Sequence, residues 1–254
     1  MFIGHFGLAF AARRATPRLS LGTAFLAAQF LDLLWPTLLL VGAEAVRIQP
    51  GATAVTPLAF DHYPWSHSLL MVIAWSIALG GGYGVLRRNV RGAVVVGLLV
   101  LSHWLLDALV HEPDLPLAPG VGTLVGLGLW NSRAGTLLAE VPIFLIGVWL
   151  YARSTRALDR IGVWLYARAT QARDRVGRFG LLGLVAFLAL IHAGNLYGPP
   201  PPSVTAIAWV GQAQWLLVLW AYWVDAHRRP LPAWSTAGVP LPIDADQGSA
   251  IPPR

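Results

Sequence analysis

Apolar runs long enough to cross a membrane recur along this chain, separated by short polar segments. A transmembrane helix needs about 20 mainly apolar residues, and such runs occupy 19–43, 68–86, 92–111, 135–151, 179–197 and 204–224. A shorter apolar run, 2–12, comes first, and its arginines follow it, which reverses the order found in a signal peptide. The pattern predicts an all-α, polytopic membrane helix bundle of about six spans plus a short N-terminal helix.

The segments between and after these runs predict one domain with a tail. We expect residues 1–227 to form a single integral-membrane domain and the polar tail 228–254 to be disordered. Pro36 predicts a kink inside the first span. The segment 112–132 is too interrupted by glycine and proline to be a further span.

A tandem repeat begins in the last residues of the fourth span and continues toward the fifth. IGVWLYARSTRALDR (146–160) is followed directly by the near-identical IGVWLYARATQARDR (161–175). Charges interrupt the second copy too closely for it to cross a membrane. We therefore expect 146–175 to form a cytoplasmic helical extension whose arginines reach lipid headgroups.

Composition supports a membrane protein and limits its chemistry. The chain is 56% hydrophobic and 12% charged, with a mean hydropathy of +0.60. It has no cysteine, so any metal must be held by His, Asp, Glu, backbone or water. The net charge of +6 comes from arginines, which cluster at alternate ends of successive spans, as in cytoplasmic loops. This placement predicts a bacterial inner (cytoplasmic) membrane protein with a cytoplasmic C-terminus, and we do not expect it to bind nucleic acid.

The third span carries a polar stripe within LVLSHWLLDALVHEP (99–113). His103, Asp107 and His111 recur at intervals of four, which places them on one helix face. An Asp in the middle of a membrane helix costs about 2.5–3.5 kcal/mol and usually serves a function. Residues four apart can chelate one ion, but His103 and His111 are too distant to share one. If all three are ligands, Asp107 bridges two ions, an arrangement suited to hydrolysis.

Other polar residues of the spans lie on the same outer side as this stripe. Asp32, His62, His67 and Glu140 all fall there in the predicted topology, so we expect the polar site in the outer half of the bundle. From placement alone, His62 and Glu140 are candidate catalytic residues and His111 is an additional candidate ligand. His192, in the fifth span, is interpreted as a hydrogen-bonded structural histidine. A proton pathway or a structural polar network would use the same pattern.

Four motifs in the first 115 residues resemble those of a known family. They are an early histidine (His5), LDLLWP with Asp32, HYPWSHS with His62 and His67, and SHWLLD from Ser102 to Asp107. Their order resembles the YdjM-like (LexA-regulated) membrane-bound metal-dependent hydrolases. It is also similar to the zinc-dependent phospholipase C and single-strand nuclease group. The resemblance implies metal ligands at His5, Asp32, His67, His103 and Asp107, with Asp107 shared; the nuclease group's later H-x-x-x-E pair has no match, so we expect one or two ions.

Together these observations predict a membrane-embedded metal-dependent hydrolase. We expect a divalent ion, zinc before manganese or iron, to activate water that attacks an ester or phosphoester bond. A site on the outer side favours a lipid or lipid-linked substrate, with membrane lipids as surroundings, and the sequence leaves the oligomeric state open. The alternative is a cation or proton transporter, or a structural membrane protein, that uses the same polar cluster.

Overall fold

The chain is mostly helical in the computed structural model, which describes residues 1–157 and 167–230. Its α-helices are α1 (Ile3–Ala15), α2 (Leu21–Ala28), α3 (Phe30–Leu40), α4 (Pro64–His67), α5 (Leu69–Arg87), α6 (Val90–Val110), α7 (Arg133–Ser154), α8 (Ala167–Tyr197), α9 (Val204–Gln212) and α10 (Gln214–Ala226). The strands form three two-stranded antiparallel pairs: β1 (Ala45–Ile48) with β2 (Leu58–His62), β3 (Leu115–Pro116) with β4 (Leu124–Val125), and β5 (Thr155–Ala157) with β6 (Arg228–Pro230).

Five described helical segments are long and apolar enough to cross a membrane. They are α5, α6, α7, the Val176–Tyr197 part of α8, and α9 with α10 taken together as Val204–Ala226. The pair α2 and α3 makes a sixth if it counts as one bent span. The predicted helical fold with several helices apolar and long enough to cross a membrane is therefore confirmed.

The first predicted span is bent at Gln29, seven residues before Pro36. The α2 and α3 axes differ by 54°, and the backbone leaves helical geometry at Gln29, where φ is −104° and ψ is 6°. Pro36 lies inside α3 without ending it. The bend precedes Asp32 and orients the first turn of α3, which carries that carboxylate, toward the centre of the bundle.

Helix α1 lies inside the bundle, where it packs against α7, α2 and α6. Gly7 and Gly147 allow α1 and α7 to touch through their backbones, since a Cβ added at Gly147 would come 2.0 Å from the Gly7 carbonyl oxygen. At the other end of α1, the buried Arg13 guanidinium donates to Asp225 of α10 at 2.7 Å. These contacts fix His5, which lies on the same helix.

The stripe on α6 is shorter than predicted. The helix ends at Val110, and His111 is its C-cap in extended conformation, with φ of −64° and ψ of 149°. The expectation that His111 continues the helical face of His103 and Asp107 is thereby corrected. The cause is the chain that follows, which turns through Glu112 and Pro113 and cannot continue the helix past the proline.

The outer connections are a hairpin and a short loop. In the β1–β2 hairpin, Arg47 donates to Asp61 at 2.6 and 2.7 Å, and this hydrogen bond lowers the pKa of the Asp61 carboxyl. Segment 112–132 contains only β3, β4 and a 3-10 turn at Leu129–Asn131, so it is not a span, as predicted.

The predicted tail and repeat are described only in part. Arg228–Pro230 pairs with Thr155–Ala157, so the first residues of the expected disordered tail are ordered, and 231–254 lie outside the described residues. The first repeat copy ends α7 and forms β5. Residues 158–166 lie outside the described residues, and the backbone from Ala167 onward belongs to α8.

Candidate metal centre

The five residues singled out by the family resemblance lie together. His5 comes from α1, Asp32 from α3, His67 from the end of α4, and His103 and Asp107 from α6. Three-residue subsets of them, His5 with His103 and Asp107, and Asp32 with His67 and His103, place their ligand atoms within 4.8 Å of one another. All except Asp32, which is half-buried, are buried. Candidate ligand residues up to 102 positions apart in sequence, His5 and Asp107, thus come into contact.

Four of these atoms, Nε2 of His67 and His103 and one carboxylate oxygen each of Asp32 and Asp107, are called the four-atom set, and each nitrogen lies at ligand-to-ligand distance from both oxygens. Nε2 of His103 lies 3.1 Å from Asp107 Oδ2 and 3.7 Å from Asp32 Oδ1. Nε2 of His67 lies 3.6 Å from Asp32 Oδ1 and 3.8 Å from Asp107 Oδ2. In a tetrahedral zinc site with bonds of about 2.05 Å, neighbouring ligand atoms are roughly 3.3 Å apart. The separations of 3.1 to 3.8 Å bracket that value.

The hydrogen bonds of His103 leave its Nε2 free to bind a metal. Its Nδ1 lies 2.7 Å from the carbonyl oxygen of Ala28. A carbonyl can only accept, so Nδ1 carries a proton, and in the neutral ring Nε2 then carries the lone pair. Nε2 is buried and has no hydrogen-bond partner within the described chain. The lone pair of the neutral ring would face two carboxylate oxygens, and either a cation between them or a proton on Nε2 relieves that repulsion.

Ser66 and Glu44 favour the same tautomer in His67, with the proton on Nδ1. Ser66 Oγ donates to Glu44 Oε2 at 2.6 Å and lies 2.7 Å from His67 Nδ1. Since the hydroxyl proton is already given to Glu44, Ser66 accepts from His67 Nδ1–H, and the Nε2 lone pair points at the carboxylates. Such outer hydrogen bonds orient metal-binding histidines in proteins.

Sequence reasoning missed Glu44 and Ser66. Glu44 is buried and its Oε1 also accepts the backbone N–H groups of Trp65 and Ser66, both at 2.8 Å. It therefore anchors the short helix that carries His67. Two signals were available: Ser66 is adjacent to His67 in the HYPWSHS block, and Glu44 is an acid directly after an apolar span. Neither signal indicates that the two residues touch.

The second oxygen of Asp107 faces His5. Oδ1 lies 3.1 Å from His5 Nε2, and the Met1 amino group contacts the same oxygen. Asp107 thus has Oδ2 in the four-atom set and Oδ1 directed toward α1. A carboxylate in this position is able to bridge two ions, which is the role predicted for it. His5 can either bind a second ion there or hold the carboxylate in place.

Glu140 lies at the start of α1 rather than within the four-atom set. Its Oε2 accepts the backbone N–H of Phe2 at 2.9 Å and that of Gly4 at 3.2 Å. The first N–H groups of a helix have no partner within the helix, and a carboxylate there also interacts favourably with the helix dipole. Glu140 therefore anchors α1 to α7, although it also lines the neighbouring cavity.

The structure does not bring His111 or His62 into the cluster. His111 Nδ1 lies 2.9 Å from Asp114, the same carboxylate that accepts from Tyr63 Oη at 2.8 Å. Burial and the adjacent Asp114 raise the pKa of the Tyr63 hydroxyl. His62 ends β2 as an exposed residue. Neither histidine belongs to the groups whose ligand atoms converge in the described chain.

A cavity of about 690 Å³ adjoins the cluster, a volume typical of small-molecule sites. Asp32, His67 and Asp107 form part of its wall. Most of the remaining lining is apolar, and most of it comes from α8, α9, α10 and the segments that join them. The arrangement joins a set of metal-binding atoms to a mainly apolar chamber.

Comparison of the chain with protein-family models, curated proteins and solved structures gives no match. The YdjM-like resemblance therefore stays a prediction from its motifs.

Proposed function

We propose that this protein is a membrane-embedded, metal-dependent hydrolase that cleaves an ester or phosphoester bond. One observation carries the proposal: Nε2 of His67 and Nε2 of His103 each lie 3.1 to 3.8 Å from a carboxylate oxygen of Asp32 and of Asp107. Two carboxylates and two neutral imidazoles carry a charge of about −2, which one divalent cation neutralises. A mixed nitrogen and oxygen set of this kind suits zinc, and also manganese or iron.

Each residue has a distinct part in the proposed reaction. Asp32, His67, His103 and Asp107 would hold the ion, and Ser66 with Glu44 orients His67. An ion in such a site polarises the bond to be cleaved and lowers the pKa of water toward neutrality. Asp32, which lines the cavity and is partly accessible, is the ligand that faces incoming substrate. The apolar lining excludes bulk water and strengthens electrostatic interactions inside the site.

The proposed location is a bacterial inner membrane, with about six spans and a cytoplasmic C-terminus. Arginines follow α5, α7 and α10 along the chain, which puts them on one side if each span crosses the membrane once, as expected for cytoplasmic loops. The metal-binding atoms lie near the C-terminal end of α6, the opposite end of that helix from Arg87 and Arg91. The site is then in the outer half of the membrane, where a lipid or lipid-linked substrate is accessible.

The proposal is tested by metal content and hydrolysis together. The full chain is purified in detergent without chelators, and bound metal is measured by mass spectrometry for wild type, His103→Ala and Asp107→Ala. We expect at least one ion per chain in wild type, and loss of most of it in both variants. His227→Ala is the matched control, because His227 bonds to the Trp223 carbonyl at the end of α10.

Hydrolysis is then followed with p-nitrophenyl butyrate and bis-p-nitrophenyl phosphate. We expect turnover that is lost on chelation and restored by zinc. Wild type without metal would overturn the metal centre. Metal-bound protein that hydrolyses neither probe, but moves the cation across proteoliposomes, would favour the transporter alternative.

A further inference from the structure

His192 is a buried histidine without a partner. It lies on α8 with 6% of its surface exposed, and neither Nδ1 nor Nε2 has a hydrogen-bond partner among the described residues. A buried polar group left unpaired costs about 1–3 kcal/mol. The expectation of a hydrogen-bonded structural residue is thereby corrected, since the described part of the chain provides no partner for the imidazole.

The imidazole lines the cavity that adjoins the metal centre. Phe187, Ile191 and Asn195 of the same helix line it as well, at the spacing of one helix face. His192 stacks on Phe2, with ring centroids 6.4 Å apart. Phe2 in turn donates its backbone N–H to Glu140, which also lines the cavity. A molecule in the cavity can therefore contact His192 while it reaches Asp32 and Asp107.

The rest of the cavity extends between helices to the perimeter of the helix bundle. Val210 of α9 and Leu216 of α10 line it and are 72% and 66% exposed. Both belong to the segment Val204–Ala226, which is apolar enough to cross a membrane. The cavity thus joins the hydrocarbon region to the cluster, and its apolar side walls suit an acyl chain.

The charge of the wall favours an uncharged headgroup. Among the described residues that line the cavity there is no arginine, and the chain has no lysine. Phosphate groups in proteins are usually bound by those side chains. The polar groups near His192 are instead the neutral amide of Asn195, the carboxylate of Glu140 and the Met1 amino group, whose charge is paired with Asp107.

We propose that His192 binds the polar head of a neutral acyl-ester lipid, such as a diacylglycerol, whose acyl chain lies between α8 and α9–α10. This inference rests on the proposed function. In the reaction the acyl C–O bond breaks, the hydroxyl of water joins the acyl carbon, and the remaining proton goes to the departing alcohol oxygen. The products are a fatty acid and a partly deacylated glycerol, with no other reactant required.

Binding is tested first, independently of turnover. Full-length protein in nanodiscs is irradiated with diacylglycerol or phosphatidylglycerol that carry the same diazirine-labelled acyl chain, and adducts are mapped by peptide mass spectrometry. We expect diacylglycerol adducts within 187–220 at several times the yield of phosphatidylglycerol. Equal or greater labelling by the charged lipid, or adducts confined to other helices, would overturn the inference.

Kinetics in mixed micelles test His192 itself. Loss of one hydrogen bond to substrate in His192→Phe should raise KM for diacylglycerol by up to about tenfold with kcat little changed, while metal content stays at the wild-type value. His192→Gln, which keeps a donor and an acceptor, should recover most of the affinity. Leu190→Phe, on the exposed side of α8, is the matched control and should keep the wild-type KM.

The outcomes separate the two proposals. If the wild type hydrolyses esters and His192→Phe keeps the wild-type KM, the role of His192 is overturned and the proposed function is not. If His192→Phe does not fold, His192→Gln and the labelling pattern still decide the inference. Specific labelling of 187–220 without hydrolysis of any probe overturns the proposed function and leaves the lipid site standing.

Discussion

The imidazole rings of His5 and His103 lie face to face, with centroids 3.7 Å apart and planes 3° from parallel. Two protonated rings at this separation would repel each other, so the stack favours at least one neutral ring. His103 donates its Nδ1–H to the Ala28 carbonyl, so Nε2 is the ring atom that can bind a metal. The stack also joins α1 to α6 at the cluster.

We expect His5 to position Asp107 rather than to complete the four-atom set. His5→Ala should therefore keep one ion per chain but lower its affinity about 10–100-fold, the usual effect of removing a residue that orients a ligand. Competition with a chelator measures the affinity, and mass spectrometry measures the stoichiometry. Two ions in wild type and one in His5→Ala would instead make His5 a ligand of a second ion, as the family resemblance implies.

Removal of the Ser66 hydroxyl should weaken metal binding through His67. Ser66→Ala leaves His67 Nδ1 and Glu44 Oε2 without their partner, so we expect metal affinity to fall about 10–100-fold and stability to fall by about 1–3 kcal/mol. Ser102→Ala is the matched control, because Ser102 also precedes a cluster histidine but donates only to Leu99 of its own helix. Equal losses in both variants would contradict the orienting role.

Substitutions of Glu140 should lower stability more than they lower the rate of catalysis. In Glu140→Ala the N–H groups of Phe2 and Gly4 lose their acceptor, and we expect a loss of about 1–3 kcal/mol, measured by thermal unfolding in detergent. Glu140→Gln keeps an acceptor oxygen and should lose less, with near wild-type kcat. A fall in kcat of about 10²-fold or more in Glu140→Gln, at unchanged thermal stability, would restore its predicted role as a general acid or base.

A methyl group at Gly147 should disturb the metal centre from a distance. Its Cβ would overlap the backbone of Gly7, so Gly147→Ala should push α1 away, displace His5 and cost about 1–3 kcal/mol. Gly82→Ala on α5 is the matched control, since nothing lies within 4 Å of its added Cβ, and it should stabilise the helix by about 0.5–1 kcal/mol. Unchanged thermal stability and metal affinity in Gly147→Ala would contradict this packing.

The proposed orientation is testable because the chain has no cysteine, so that single substitutions give unambiguous labelling. A membrane-impermeant maleimide should label Ala54→Cys, in the β1–β2 connection, from outside intact cells stripped of their outer membrane. It should label Arg87→Cys, at the end of α5, only after permeabilisation. The reverse pattern would place the metal centre in the inner half.

Much of the candidate site was visible in the sequence because its residues are chemically out of place. His103 and Asp107 stand four apart in an apolar span, and His5, Asp32 and His67 entered through the motif resemblance. The structure brings these five together. By contrast, the role of His111 depended on where α6 ends, and a helix end can move by a residue without a clear change in hydropathy.

What the sequence by itself determined is that the chain has several apolar helices, their approximate positions and the kinds of ligand available. Both depend on local composition, since a span requires a continuous apolar run. Only the tertiary structure decided which polar groups meet. Glu140 reaches the N–H of Phe2 across 138 residues, Glu44 reaches Ser66 and thereby orients His67, and His192 is left unpaired in the cavity wall. These relationships depend on how helices pack against one another, which hydropathy does not encode.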